Sequence, residues 1–366
     1  MPAKNPQDVA ALVPIFGHES IRNQLLAAYR RGALPASLLL QGPRGIGKQR
    51  LAIWLAQIIL CDNPAAAPCG DCPQCRFSQR LTHPDLHWFF PRPRPKDGDP
   101  DAAEVTADLA EAIADRVAAG GIYAPPAGDE AIYVATVRAI VQSASMSPAI
   151  ARRKVYVIGD AERMVAQTGA DQAANAFLKL LEEPPADTTI IITSSEPGAL
   201  LPTIKSRVVS VRVAPLLTAE VRDALSHPNV SSAIRREHSS SREADLIALA
   251  NGALGRLFGH EAVSAAGAAA EAILEAALSS DTAKMARVAF VQGTAKARGR
   301  FSDTLDLLVA LLNERARREV GRSDRAARGA AAAIDAVERA KEYAENNGNP
   351  QLITATLLRE ISPLLT

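Results

Sequence analysis

Two hydrophobic rhythms divide the chain. Up to about residue 213, short apolar runs alternate with stretches whose apolar positions recur every three or four residues, and beyond Pro215 only the second rhythm persists. The first pattern predicts strands alternating with helices in a doubly wound α/β domain, the second helices alone. Ile21, Leu25 and Leu26 share one face of a helix that ends near Gly32. Residues 34–41, with Leu38, Leu39 and Leu40, read as a buried strand, and Leu51, Ala52, Trp54 and Leu55 open a helix running to about Leu60. Residues 83–90, 155–158, 188–193 and 208–213 supply further strands, and residues 105–118, 132–145 and 175–183 the helices among them. The run Val155, Tyr156, Val157, Ile158 suits a central parallel strand. Residues 91–128 change character: Pro91, Pro93, Pro95 and Pro100 stand among charges, and only 105–118 is periodic, with Leu109, Ile113 and Val117 on one face. This stretch reads as a mobile surface insertion without chemistry of its own.

In the second half, 218–225 and 243–257 form a small bundle around the turn Asn251-Gly252. Alanine-rich helices follow from about residue 259, including 301–318 with Leu305, Leu308 and Leu312 inward and 326–344 with Ile334, Val337 and Ala340. A turn over 346–350 precedes a last helix carrying Leu352, Leu357, Leu358 and Ile361. Such stripes predict core or subunit interface.

At 366 residues the chain is long enough for two or three domains. No apolar run could span a bilayer, and the start Met1-Pro2-Ala3-Lys4 has no apolar signal segment, so a soluble cytoplasmic protein without membrane contact is expected. Lys and Arg number 41 against 40 Asp and Glu, a net charge of +1 that argues against a free-standing DNA-binding protein. Any nucleic-acid contact would be shared with partners.

Four constellations carry candidate chemistry. Between the leucine strand and the following helix lies Gly42-Pro43-Arg44-Gly45-Ile46-Gly47-Lys48, the G-x-x-x-x-G-K loop in its strand–loop–helix setting. Gly42, Gly45 and Gly47 allow a tight turn whose N–H groups face a phosphate chain, and Lys48 supplies a point charge. The next position, normally a Ser or Thr hydroxyl on Mg²⁺, is Gln49, so the loop is equipped for phosphates and not for their metal. At the end of strand 155–158, Gly159 occupies the first acidic slot of an ATPase and only Asp160 remains. Ser194 and Ser195 end strand 188–193, where a hydroxyl either reaches a γ-phosphate or makes a simple strand-terminal hydrogen bond. Finally, all four cysteines, Cys61, Cys69, Cys72 and Cys75, fall in one segment that Pro64, Pro68 and Gly70 keep irregular. In a reducing cytosol this spacing predicts a closed, structural tetrahedral zinc site; a redox pair or four free thiols is the alternative. His83 and His87 lie nearby but are not needed as ligands.

These features together resemble the bacterial replicative clamp-loader family, a branch of the AAA+ proteins. The resemblance is carried by residues 42–48, the four-cysteine insertion, Asn175-Ala176-Phe177-Leu178-Lys179-Leu180-Leu181-Glu182-Glu183-Pro184-Pro185, and Ser206-Arg207. It implies an AAA+ nucleotide-binding domain over 1–213 with a zinc knob at 61–75 and the insertion at 91–128, a helical lid over 214–258, and a helical collar over 259–366 that holds subunits in a ring. It also implies nucleotide contacts from Gly42, Gly45, Gly47, Lys48, Gln49, Asp160 and Ser194, and a role for Arg207 as an arginine finger acting on a neighbour's nucleotide. Implied partners are motor and delta-type subunits of a hetero-oligomeric ring, a sliding clamp, and primer–template DNA through the complex. Gln49, Gly159 and Gly255, the last where motors carry a lid arginine, favour a non-hydrolysing stator with weak or absent ATP or ADP binding. Val208 stands where the family's Ser-Arg-Cys has cysteine. The competing readings are an active AAA+ motor ATPase, which Gln49 and Gly159 oppose, and a zinc-dependent nucleic-acid module, which neutral charge opposes.

Overall fold

The computed structural model describes residues 12–93, 100–122, 130–164, 171–238, 241–258, 260–279, 281–292, 298–345 and 348–366. Parts of the predicted insertion (94–99 and 123–128) and of the predicted turn (346–347) lie outside these. The chain divides between residues 258 and 259 into two compact units.

In the first unit, α1 (Glu19–Arg30) leads to β1 (Ser37–Gln41), and α2 (Lys48–Leu60) follows the glycine loop. Then come α3 (Pro73–Gln79), β2 (Leu86–Phe89), α4 (Ala102–Ala118), α5 (Val134–Ala144) and β3 (Lys154–Ile158). After these, α6 (Asp171–Glu182), β4 (Thr188–Ser194), α7 (Pro202–Lys205) and β5 (Val209–Arg212) complete the α/β part. The five strands form one parallel sheet in the order β2-β3-β4-β1-β5. Helices cover both faces, so the central strands are apolar throughout: Leu38, Leu39, Leu40, Val155, Val157, Ile190, Ile191 and Ile192 are buried. In register, Leu39 meets Ile192 on one side and Ser210 on the other, which brings the C-terminal ends of β1, β3 and β4 together. Ligands of open parallel sheets bind at that edge.

Two expectations need correction. The cysteine segment is not wholly irregular: Pro73 at the first position and the Cys72 sulfur, which accepts the Cys75 N–H at 3.4 Å, start the short helix α3. The described part of 91–128 is no loose decoration either. Asp101 and Glu104 form a reciprocal capping box for α4. Val105, Leu109 and Ala112 enter the main core, Val13 N–H donates to Gly120 O at 2.8 Å, and Arg92 clasps Asp108 at 2.7 Å. An apolar helix face is buried wherever the sheet offers it a surface, whatever the composition of its flanks.

The first unit ends in α8 (Thr218–Ser226), α9 (Pro228–Glu237), α10 (Glu243–Ala250) and a short 3₁₀ turn, Leu254–Leu257. Leu216, Val221, Val230, Ile234, Leu257 and Phe258 form a separate small core with Val13. The second unit contains α11 (His260–Ser279), α12 (Thr282–Val291), α13 (Arg298–Glu319), α14 (Asp324–Glu345) and α15 (Pro350–Leu365). Its core is Ile273, Leu305, Leu308, Leu312, Val337, Leu357, Leu358 and Ile361. Among the described residues no helix is long and apolar enough to cross a membrane.

Candidate functional site

The glycine loop leaves the end of β1 and enters α2 with Gly47 as its cap. Gly45 (φ 80°) and Gly47 (φ 96°) adopt left-handed backbone, which makes glycine the suitable residue at both. A glycine cap has no side chain to bond the first N–H groups of α2, the donors that a helix N-terminus offers to an anion. His18 braces the loop through Nε2 to the Ile46 carbonyl at 2.7 Å. The Lys48 ammonium is buried and donates to Gly42 O (2.8 Å), Pro43 O (2.9 Å) and Ser195 Oγ (2.9 Å). The hydroxyl beside Lys48 is therefore that of Ser195; the expected Ser194 is buried, its Oγ accepting the Glu196 N–H at 3.1 Å as a strand-terminal bond.

Gln49 fills the place next to the loop where a metal-bound hydroxyl and an acidic side chain would meet. Its Nε2 donates to Asp160 Oδ2 at 2.9 Å, and its Oε1 accepts from Trp88 Nε1 at 2.9 Å. Gly159 lies against it: a Cβ there would come within 2.4 Å of Gln49 Oε1. Arg116 of α4 stacks over the Phe90 ring (3.4 Å to the centroid) and the Trp88 ring (4.8 Å), so the insertion helix braces the same network. Beyond Asp160, Glu162 accepts the Ser195 N–H at 3.0 Å, and burial, with the Asp160 charge adding, pushes its carboxyl above the usual range.

The 3₁₀ turn Leu254–Leu257 closes onto the loop. Gly255 N–H donates to Gly45 O at 2.9 Å, and a Cβ on Gly255 would stand 2.6 Å from Gly45 Cα. This is a backbone-to-backbone contact that no side chain fits in its present form. Trp88, Glu162 and His18 were not legible as site residues, because nothing in their spacing ties them to the loop; the sheet order does.

The cysteine sulfurs converge. All four Sγ atoms lie within 4.8 Å of one another, with Cys61 and Cys72 at 4.0 Å and Cys69 and Cys75 at 3.9 Å. A tetrahedron of metal–sulfur bonds of about 2.3 Å has edges of about 3.8 Å, so the set can hold a metal ion. Donation from the backbone N–H groups of Cys72 and Asp71 holds the Cys69 thiol down at about 7, while burial raises Cys61 and Cys75. His83 is engaged elsewhere, with Nε2 on Gln74 Oε1 at 2.7 Å and Nδ1 accepting the Asp85 N–H at 2.9 Å.

Arg207 lies apart from this loop, just after α7. Its Nε donates to Glu182 Oε2 at 3.1 Å, and its Nη1 to Thr203 O (3.0 Å) and Ser206 Oγ (3.3 Å). Nη2 has no hydrogen-bond partner among the described residues. Glu182 ends α6, where a carboxylate opposes the helix dipole. Its contribution is therefore the guanidinium it holds.

Residues 17–217 match the family model described as "DNA polymerase III, delta subunit". The chain is 36% identical over 172 residues to the Pseudomonas aeruginosa protein named DNA polymerase III subunit delta', covering 47% of this chain and 40% of that one. It is 28% identical over 212 residues to the Bacillus subtilis protein of the same name, covering 58% and 52%. The chain thus spans about half the length of these relatives, or less. Among solved structures, a Thermotoga maritima DNA polymerase III gamma subunit-related protein aligns over 93% of this chain and all of that one, with 18% identity and a TM-score of 0.36.

Proposed function

The chain belongs to the DNA polymerase III delta-subunit family, and on that premise we propose that it is the delta-prime, stator-type subunit of a replicative clamp loader. In this reading it assembles in the cytoplasm with motor and delta-type subunits and helps place a sliding clamp on primed DNA without hydrolysing ATP itself. The observation that carries it is the Gln49 amide, hydrogen-bonded to both Asp160 and Trp88 in the place where Mg²⁺ would need a hydroxyl. Gly45 and Gly47 still offer backbone donors to phosphate, and the Lys48 ammonium would have to exchange its carbonyl and Ser195 partners for one, so any nucleotide bound is held weakly. Without the hydroxyl that would hold Mg²⁺, its γ-phosphate lacks the metal's share of the charge neutralisation during transfer.

Arg207 is the residue through which the subunit acts on a neighbour. Its Nε and Nη1 are anchored while Nη2 is open, the state of a planar fork ready to meet a γ-phosphate presented by an adjacent motor. The four thiolates suit zinc, which would order the segment 61–75 as a structural site with no open position.

Steady-state ATP turnover by the purified chain tests the reading directly. The expected result is no turnover above background, with or without Mg²⁺. Turnover at a normal ATPase rate would make the chain a motor and overturn the assignment.

A further inference from the structure

The turn joining α13 to α14 is rich in arginine. Residues 315–328 contain Arg315, Arg317, Arg318, Arg322, Arg325 and Arg328 against two acids, Glu319 and Asp324. Gly321, at φ 79°, turns the chain sharply between the helices, so all six arginines gather at one end of a helical hairpin. Arg317, Arg318, Arg322, Arg325 and Arg328 are exposed. Arg318 pairs with Glu314 four residues earlier, and Arg328 Nε donates to its own helix at Asp324 O. No carboxylate partners Arg317, Arg322 or Arg325 among the described residues. Elsewhere in the same unit Lys284, Arg339 and Lys341 each meet a carboxylate, Lys284 at 2.6 Å from Glu275 and Lys341 at 2.8 Å from Asp306. Acidic partners are thus present elsewhere in the unit, while at the turn six arginines stand against two acids.

We infer that this turn is a sequence-independent contact for the phosphate backbone of nucleic acid. The tip is a hairpin end whose exposed large apolar residue is Val320. A protein partner would normally find an apolar or aromatic anchor at the centre of its contact, and residues 315–328 contain no aromatic residue. For the same reason the turn has no platform on which bases could stack. What it offers is fixed positive charge on planar forks that match phosphate oxygens. Packed helix axes lie about 8–10 Å apart, so the three unpartnered guanidiniums span a few phosphates and bind by releasing their counterions. The near-neutral charge of the whole chain is compatible with this, because the excess is local. The inference stands independently of the role proposed for Arg207.

Fluorescence anisotropy of the full-length protein with a labelled single-stranded oligonucleotide of about 30 nucleotides, and with the matching duplex, tests it between about 50 and 200 mM salt. Three contacts predict log–log salt slopes of about −2 for the single strand and about −2.7 for the duplex. The triple variant R317A/R322A/R325A should bind at least about tenfold more weakly at low salt and lose most of that slope. The triple lysine variant should keep the slope, and R235A/R236A on α9 should match the unmodified protein. Equal binding by the triple alanine variant, no binding of either DNA by the unmodified protein, or binding of poly-glutamate in preference to DNA would overturn the inference.

Discussion

Gln49 and Gly159 interlock: the Gln49 amide occupies the space that a Cβ on Gly159 would enter, 2.4 Å from Oε1. Absence of an acidic side chain at one position makes room for the amide at the other. The two departures from an ATPase site are thus one packing solution. Asp160 and Trp88 complete it by satisfying both ends of the amide.

A double-mutant cycle should expose this coupling. Gly159→Asp alone overpacks a buried site and sets a carboxylate beside Asp160, with an expected loss of about 1–3 kcal/mol. Combined with Gln49→Thr, which vacates the space, the same change should cost less, giving a coupling energy above about 1 kcal/mol in urea denaturation. Additive losses would show that the two positions do not share the space.

The Arg207–Glu182 pair makes a different forecast. Because the pair is partly exposed, Glu182→Gln should change thermal stability by less than about 1 kcal/mol. In a reconstituted loader Arg207→Ala should lower clamp-stimulated ATP turnover by the share passing through one site, that site itself losing about 10³-fold or more. Glu182→Gln should produce a smaller loss in kcat with KM unchanged, since it frees the guanidinium without removing it. Clamp loading at the unmodified rate by the Arg207 variant would end the finger role; a normal rate with Glu182→Gln alone would end only the positioning role.

The cysteine segment should contain one zinc per chain by elemental analysis after anaerobic purification. Zinc–thiolate sites contribute on the order of 10 kcal/mol to the folding of small modules. Chelation or Cys75→Ser should therefore melt residues 61–79, read as protease sensitivity there, while the sheet persists. Metal-free protein with a protected segment would contradict the assignment.

Acid should weaken the fold through His87. Burial, partly countered by Asp85, holds this imidazole neutral and lowers its pKa to about 4, and the ring stacks on Tyr156 at 4.6 Å. The unfolded chain takes up a proton near pH 6.5 and the native chain does not until about pH 4. The native state is thus favoured most above about pH 6.5 and loses up to about 3 kcal/mol as pH falls to about 4. His87→Phe keeps the stacking and removes the titration, so its stability should be flatter across that window in urea melts at stepped pH. An unchanged slope would mean that other groups carry the acid sensitivity.

Local chemistry was readable along the chain because it acts over a few residues. The leucine run and the helical stripes through Leu305, Leu308 and Leu312 mark their elements by periodicity, the glycine loop by its spacing, and four cysteines within one segment mark a candidate metal site by donor type and spacing. The tertiary structure decided whatever depends on neighbours distant in sequence. Parallel strands have no hairpin to announce their partners, so the order β2-β3-β4-β1-β5 had to come from packing. That order brings Trp88 and Asp160 to Gln49, and Ser195 in place of Ser194 to Lys48. Likewise Val105 and Leu109 look like decoration among prolines until a sheet face is there to bury them. Gly255 shows its use only when its backbone meets that of Gly45, two hundred residues away in the chain, at a distance that excludes any Cβ.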